Sequence, residues 1–365
     1  MMRHPGPDVL RLLAALAVGK LVVIATAFLA YRTPGFLYDM STRWDSAWFL
    51  AIAKAGYTSP GVSVFSPFSA APLSPNAYAF SPFYPGLIRG LTLLIGTGWV
   101  SALIIANALS FITPYVIYRT FGFRVALLAE LFPVYLVFTT IPYSDSVTLL
   151  FVALSIMLAL RGRILASSGS ASLAVFASYS LASTLPSFVI AFWKGHHWRT
   201  ILFFVLPGLA GFLILLWFRF VSGSYTTFLV VEATHWDVSF ATPLAQGTWL
   251  LGKGSASLGF WPFPGGWLTR NLPFEVFYVF GALYLMRTKL ENRVFLTAYS
   301  LSAIIPLFFV VGGPALSIPR LILPAFPVFA AYASFIRGRY VWLYATVCLS
   351  LTVWVAMSQM LFFFA

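Results

Sequence analysis

The chain is 365 residues long, 60% hydrophobic and only 8% charged, whereas an ordinary soluble domain is about 25% charged. No soluble core absorbs that much apolar surface, so lipid is the solvent for much of the chain. The formal charge of +13 comes from 22 Lys and Arg against 9 Asp and Glu, but the cations sit in short clusters between apolar runs. That is the pattern of cytoplasmic loops, and without a contiguous basic face it excludes nucleic acid as a partner.

The first apolar run, at about 10–30, has the roughly 20 residues needed to span a bilayer. It lacks a small-residue cleavage site and is followed by Tyr31-Arg32, so it reads as a retained helix and not a removed signal peptide. A long polar, proline-rich segment occupies 32–98. Further runs lie at 99–118, 124–140, 146–162, 171–182, 185–194, 200–220, 273–287, 294–311, 321–337 and 341–363, which predicts about eleven membrane segments. The cations Arg3, Arg11, Arg119, Arg124, Arg161, Arg163, Lys194, Arg199, Arg287, Lys289, Arg293, Arg337 and Arg339 fall on one side if Phe83–Ile95 does not cross and if 171–182 and 185–194 form a hairpin. The positive-inside rule then puts the N-terminus inside and the C-terminus outside. Two long external loops result, 32–98 and 221–272, both rich in aromatic residues and therefore expected to be ordered at the interface. With no repeat and no linker, residues 1–365 read as one all-α, polytopic membrane domain.

The acids are Asp8, Asp39, Asp45, Glu130, Asp145, Glu232, Asp237, Glu275 and Glu291. Five of them, Asp39, Asp45, Asp145, Glu232 and Asp237, gather at the external face on this topology, and acids at a membrane edge are costly and so suggest function. Asp45 precedes Phe49 and Ile52 at helical spacing. It reads either as a helix N-cap or as a reactive carboxylate, and Asp145, within Pro142-Tyr143-Ser144-Asp145-Ser146, carries the same two readings. Glu130 falls inside a helix, where it needs a Tyr hydroxyl or a cation as partner. Arg320 stands at the external mouth of an apolar helix, against the positive-inside bias. It calls for an anion, which a lipid-linked phosphate would supply, or else it snorkels to a head group. Arg43 and Arg89 are further external cations. His235 stands beside Trp236, and no His, Cys or acidic spacing suits a metal. No phosphate-cradling, dinucleotide-binding or GxSxG motif occurs, so neither a cofactor nor a metal is expected. Cys348, alone in an apolar run, reads as a small buried hydrophobe.

Several of these stretches resemble one family in the same order. Arg43-Trp44-Asp45-Ser46 followed by Phe49, Ile52-Ala53 and Gly56-Tyr57 resembles the WDS-containing signature of the PIG-V family, the second mannosyltransferases of glycosylphosphatidylinositol assembly. Ala79 to Arg89 (AFSPFYPGLIR), Pro142 to Ser146, His235-Trp236 and Pro319 to Pro324 (PRLILP) are similar to that family's later motifs, with Asp145 in place of its usual Glu. The similarity runs from about 43 to 327. Departures are Trp48, where a His is common, and Ser180 to Pro186, which lacks an Arg often carried there.

The resemblance implies a GT-C glycosyltransferase with a long outward first loop carrying juxtamembrane helices. It implies transfer of mannose, with inversion, from a dolichyl or other polyprenyl phosphate sugar donor to a glycolipid or glycan acceptor. Asp45 takes the position of the catalytic acid, with Asp145 second. Arg320, with Arg43 or Arg89 as alternatives, would hold the phosphate, and Trp44, Ser46, Trp48, Tyr57, His235 and Trp236 would line the substrates. Such an enzyme would lie in the plasma membrane of a prokaryote or the endoplasmic reticulum of a eukaryote, acting on the outer or lumenal face. The competing classes are a transporter or flippase, which would show inverted repeats and mid-membrane acids, and a non-catalytic membrane scaffold.

Overall fold

The computed structural model describes residues 6–57, 76–192, 197–248, 271–312 and 317–362. Lys194, residues 58–75 of the first long loop and residues 249–270 of the second, with its Gly-, Pro- and Trp-rich stretch 259–267 and the cations Lys253 and Arg270, lie outside the described residues. In chain order the helices are α1 (Gly6–Tyr31), α2 (Phe36–Ser41), α3 (Asp45–Ala55), α4 (Phe83–Ile95), α5 (Gly98–Phe121), α6 (Phe123–Glu130), α7 (Pro133–Thr140), α8 (Asp145–Leu160) and α9 (Ile164–Ala177). A 3-10 segment, Tyr179–Ser187, leads into α10 (Phe188–Phe192), followed by α11 (His197–Ser222), α12 (Thr227–His235), α13 (Leu272–Leu285), α14 (Arg293–Ile304), α15 (Ile318–Leu321), α16 (Val328–Tyr332) and α17 (Arg339–Phe362). Two short strands, β1 (Ser239–Phe240) and β2 (Val310–Val311), pair antiparallel.

Among the described residues, α1, α5, α11 and α17 are long and apolar enough to cross a bilayer, and α6 with α7 form a fifth, broken span bent by 69°. Shorter apolar segments occupy the remaining expected runs, and α4, at 13 residues, is too short to cross, as expected. Two of the expected runs are divided into shorter helices, because proline removes a backbone donor and interrupts the helix. Pro133 breaks the 124–140 run, and Pro324 and Pro327 divide the 321–337 run into short turns.

Two expectations change. The hairpin expected from 171–182 begins earlier, because Ser167, Ser168 and Ser172 are helical and buried. Their hydroxyls donate to the carbonyls of Ser155 (2.8 Å), Phe203 (2.5 Å) and Ser168 (2.8 Å). Small residues of this kind let helix backbones approach closely in lipid, so a stretch that reads as a polar gap is the packing face of α9 against α8 and α11. Glu130 ends α6 at the break of the bent span, 1% exposed, and neither carboxylate oxygen has a hydrogen-bond partner among the described residues. The hydrogen bond expected for it from a Tyr hydroxyl or a cation is not made among the described residues.

Helix ends collect at two poles. At one pole the Trp44 indole donates to the Gln359 carbonyl (3.0 Å), the Tyr31 hydroxyl to Met360 (3.2 Å) and the Ser46 hydroxyl to Pro142 (3.3 Å). These bonds tie α1, α3, the α7–α8 turn and the end of α17 together. The opposite pole carries Arg119, Arg124, Arg161, Arg163, Arg287, Lys289, Arg293, Arg337 and Arg339.

Candidate active site

Asp45 and Asp145 are each the first residue of their helix, α3 and α8. The capping positions belong to Trp44 and Ser144, and neither helix start has a side-chain capping bond. The N-cap alternative is therefore not what the structure adopts, and both carboxylates remain free to act elsewhere while still sitting at the favourable positive end of a helix. Trp44 reaches this arrangement at φ 55°, a backbone region that costs a non-glycine residue on the order of 1–3 kcal/mol. The indole bond to Gln359 helps to hold that turn, and the turn aims Asp45 inward.

Asp45 meets Arg320 across 275 positions of sequence. Arg320 Nη1 donates to Asp45 Oδ2 at 2.5 Å, and Arg320 Nε lies 3.9 Å from Asp145 Oδ2. The three side chains are only 13–14% exposed. The guanidinium lies 5.0 Å from the centroid of the Tyr143 ring and 5.9 Å from that of Phe138, a cation–π seat. Tyr143 is buried, and its hydroxyl accepts from Gln359 Nε2 at 3.0 Å. Arg320 Nε is buried without a hydrogen-bond partner among the described residues. One cation thus faces two carboxylates and retains an unused donor. Arg–carboxylate geometry of this kind transfers readily to a phosphate oxygen.

A third acid stands nearby. Burial, and after it the charge of Asp45, pushes the Glu232 carboxyl up to about 7. Glu232 lies on α12, whose approach is fixed by aromatic packing. Trp236 sits edge-on to Trp48 (6.2 Å between centroids) and Phe80 (5.7 Å), and Trp48 stacks on Phe80 at 5.8 Å. The Trp236 Nε1 is buried with no hydrogen-bond partner among the described residues. Gly312 adopts φ +99° hard against the backbone of Asp237, where a Cβ has no room; this contact joins the end of α12 to the end of β2. Sequence reasoning placed Glu232 at the external face without a role. The available signal was its i, i+4 spacing to Trp236, which puts the two on one helix face.

The raised Glu232 carboxyl has a testable consequence. A group whose folded-state pKa is raised stabilises the fold below its unfolded value near 4.5 and loses that contribution as pH rises through about 7. Glu232→Gln should therefore gain thermal stability relative to the wild type as pH goes from 5 to 8, read as the difference in unfolding midpoint in detergent. A difference that is flat across that range would show that Glu232 ionises freely.

The other expected site residues divide. Ser46 is buried and spends its hydroxyl on Pro142, so it anchors the two acid-bearing turns to each other. Trp48 and Tyr57 are buried in the aromatic wall, with the Tyr57 hydroxyl donating to the Phe80 carbonyl at 2.6 Å. Arg43 is exposed, lies over the Tyr31 ring at 4.5 Å and reaches the Met360 carbonyl at 3.5 Å. Arg89 and His235 are exposed and are not brought to the carboxylates by any described contact. Of the three arginines considered for a phosphate, the fold brings Arg320 to the acids.

Lys20 supports the site from below and was not singled out in the sequence. It is buried in α1, and its ammonium donates to Asn107 Oδ1 (2.9 Å), the Thr139 carbonyl (2.7 Å) and Thr140 Oγ1 (3.3 Å), while Asn107 Nδ2 donates to the Thr140 carbonyl (3.0 Å). A cation and an amide thereby satisfy the last carbonyls of α7, the negative end of a helix buried away from water. The turn they hold continues directly into Tyr143 and Asp145.

No family model matches the chain, and neither does any curated protein. Among solved structures the chain is similar to ArnT from Cupriavidus metallidurans in the apo state (TM-score 0.51, 14% identity, covering 90% of this chain and 61% of that one). It is similar also to the same protein bound to undecaprenyl phosphate (TM-score 0.51, 14% identity, 93% and 62%). The fold is an all-α, polytopic membrane architecture shared with these structures. The chain spans about three fifths of the length of the ArnT chains it matches. Among the described residues no group of three or more His, Cys, Asp or Glu side chains is placed to hold a metal.

Proposed function

We propose that the protein is a glycosyltransferase that takes a sugar from a polyprenyl phosphate, with mannose as the sugar and a glycolipid or glycan as the acceptor, in the manner of the PIG-V family. The observation that carries this reading is the meeting of Asp45, Asp145 and Arg320 at one pole of a membrane bundle. The fold shared with a protein that binds undecaprenyl phosphate supports it, as do the motifs around residues 43–57, 142–146 and 319–324. The cations collected at the opposite pole favour an outward or lumenal site.

In the resting protein Asp45 is held by Arg320. The donor's phosphate takes the guanidinium, replacing Asp45, and the released carboxylate accepts the proton of the acceptor hydroxyl. The acceptor oxygen bonds to the anomeric carbon as the bond from that carbon to the phosphate oxygen breaks, and the electron pair leaves with the phosphate. One base and one cation suffice for a single inverting displacement. This exchange couples donor binding to activation of the base, so the carboxylate is kept occupied until a donor arrives. Asp145 keeps Arg320 in place when Asp45 departs.

The test is transfer of radiolabelled sugar from synthetic polyprenyl phosphate mannose to a panel of glycolipid and glycan acceptors. Labelled product with mannose as the donor sugar supports the reading. A folded protein that transfers nothing from any polyprenyl phosphate sugar overturns it, and transfer of another sugar alone overturns the mannose assignment.

A further inference from the structure

At the pole opposite Asp45, the α5–α6 turn, the α13–α14 loop and the end of α16 enclose a groove of about 530 Å³. Two cations line it, Arg124 and Lys289, and no carboxylate does. The nearest acid in sequence, Glu291, is exposed and outside the lining. The Arg124 guanidinium is fixed on the wall by a bond from Nη1 to the Ala333 carbonyl at 2.9 Å, and no described residue pairs with Lys289. The remaining walls are largely apolar, with Phe121, Phe123 and Leu290 among them.

The groove also sits at a definite depth. A few residues beyond Ser334 of its lining, at the start of α17, Tyr340 is 52% exposed and Trp342 is 77% exposed. Exposed Trp and Tyr beside a cluster of Arg mark the level of lipid head groups. A positive, acid-free recess with apolar walls at that level matches an anion that carries its own hydrocarbon, and basic recesses between membrane helices are known hosts for such head groups. A soluble anion would gain nothing from the Phe and Leu walls.

We propose that this groove binds the phosphate head group of an anionic phospholipid from the leaflet opposite the Asp45 site, with Arg124 and Lys289 as its cationic contacts. The proposal is independent of the transfer reaction. A lipid seated there would bridge the α13–α14 loop to the α5–α6 turn and the end of α16, which the Arg124–Ala333 bond already joins.

The purified protein is equilibrated in detergent micelles doped with phosphatidylglycerol or with phosphatidylcholine, and retained lipid is counted by native mass spectrometry. Phosphatidylglycerol should be retained over phosphatidylcholine, and Arg124→Gln/Lys289→Gln should weaken its retention about 30-fold, the loss expected for two interfacial cations. Arg161→Gln/Arg163→Gln, which removes the same charge from another loop of that pole, should leave retention unchanged. Thermal unfolding in phosphatidylcholine micelles should be the same for all three proteins, which separates loss of binding from loss of fold. Equal retention by the groove variant, equal loss in the control variant, or full displacement of the lipid by millimolar inorganic phosphate would each overturn the proposal.

Discussion

Asp45→Asn should lower the rate of sugar transfer by roughly 10²–10⁴-fold, the usual contribution of a positioned general base, while the donor KM stays level or falls. The split follows from the pairing of Asp45 with Arg320 at 2.5 Å. Asparagine keeps the shape of the side chain but cannot accept the proton of the acceptor hydroxyl. It also releases Arg320, which is then open to the donor phosphate without an exchange. A residue that merely positioned Arg320 would show the opposite pattern, with a raised donor KM and a nearly unchanged kcat. Steady-state kinetics with varied polyprenyl phosphate sugar distinguish the two, and near-normal turnover in the variant would remove Asp45 from the role of base.

Arg320→Met should cause the largest loss of stability of any single change at this pole, about 3 kcal/mol or more, together with loss of donor binding. Removing one partner of a buried ion pair leaves the other charge without compensation, and here two carboxylates, each about 14% exposed, lose the same cation. Arg320→Lys should recover part of the stability but little of the binding, since a single ammonium cannot span Asp45, Asp145 and an incoming phosphate as the planar guanidinium does. The double variant Asp45→Asn/Arg320→Met should be more stable than Arg320→Met alone, because one of the stranded charges is gone. Unfolding measured in a single detergent checks the order. If Arg320→Met unfolds like the wild type, the site is hydrated well enough that the pairing contributes nothing.

The acids and the cation at the centre of the site are legible in the chain because each breaks a local rule. Asp45 and Asp145 are charges at the ends of apolar runs in a protein with nine acids, and Arg320 stands apart from the clusters that hold most of the other cations, at the mouth of an apolar run. Glu232 breaks no such rule. It lies in a polar connection, where a carboxylate is unremarked, and becomes part of the site only because Trp236 packs on Trp48 and Phe80. Lys20 was missed for the converse reason. One cation within a strongly apolar helix reads as an interruption, and the groups that justify it, Asn107, Thr139 and Thr140, lie 87 to 120 positions away. Glu130 remains without a hydrogen-bond partner among the described residues.

Composition and periodicity by themselves determined that the chain is a helical membrane protein and where its apolar segments lie, because both depend on the transfer of local segments from water to lipid; of the roughly eleven segments expected, four helices and one broken pair among the described residues are long and apolar enough to cross. Whether a run remains one helix was legible only in part: proline positions marked the breaks, while the buried serines of α9 concealed a continuous helix. Tertiary structure alone decided that Asp45 pairs with Arg320, that Arg89 stays apart, and that neither Asp45 nor Asp145 is consumed as a helix cap. Those outcomes depend on which helix ends meet, and that is set by packing between segments hundreds of residues apart, where no local pattern carries the information.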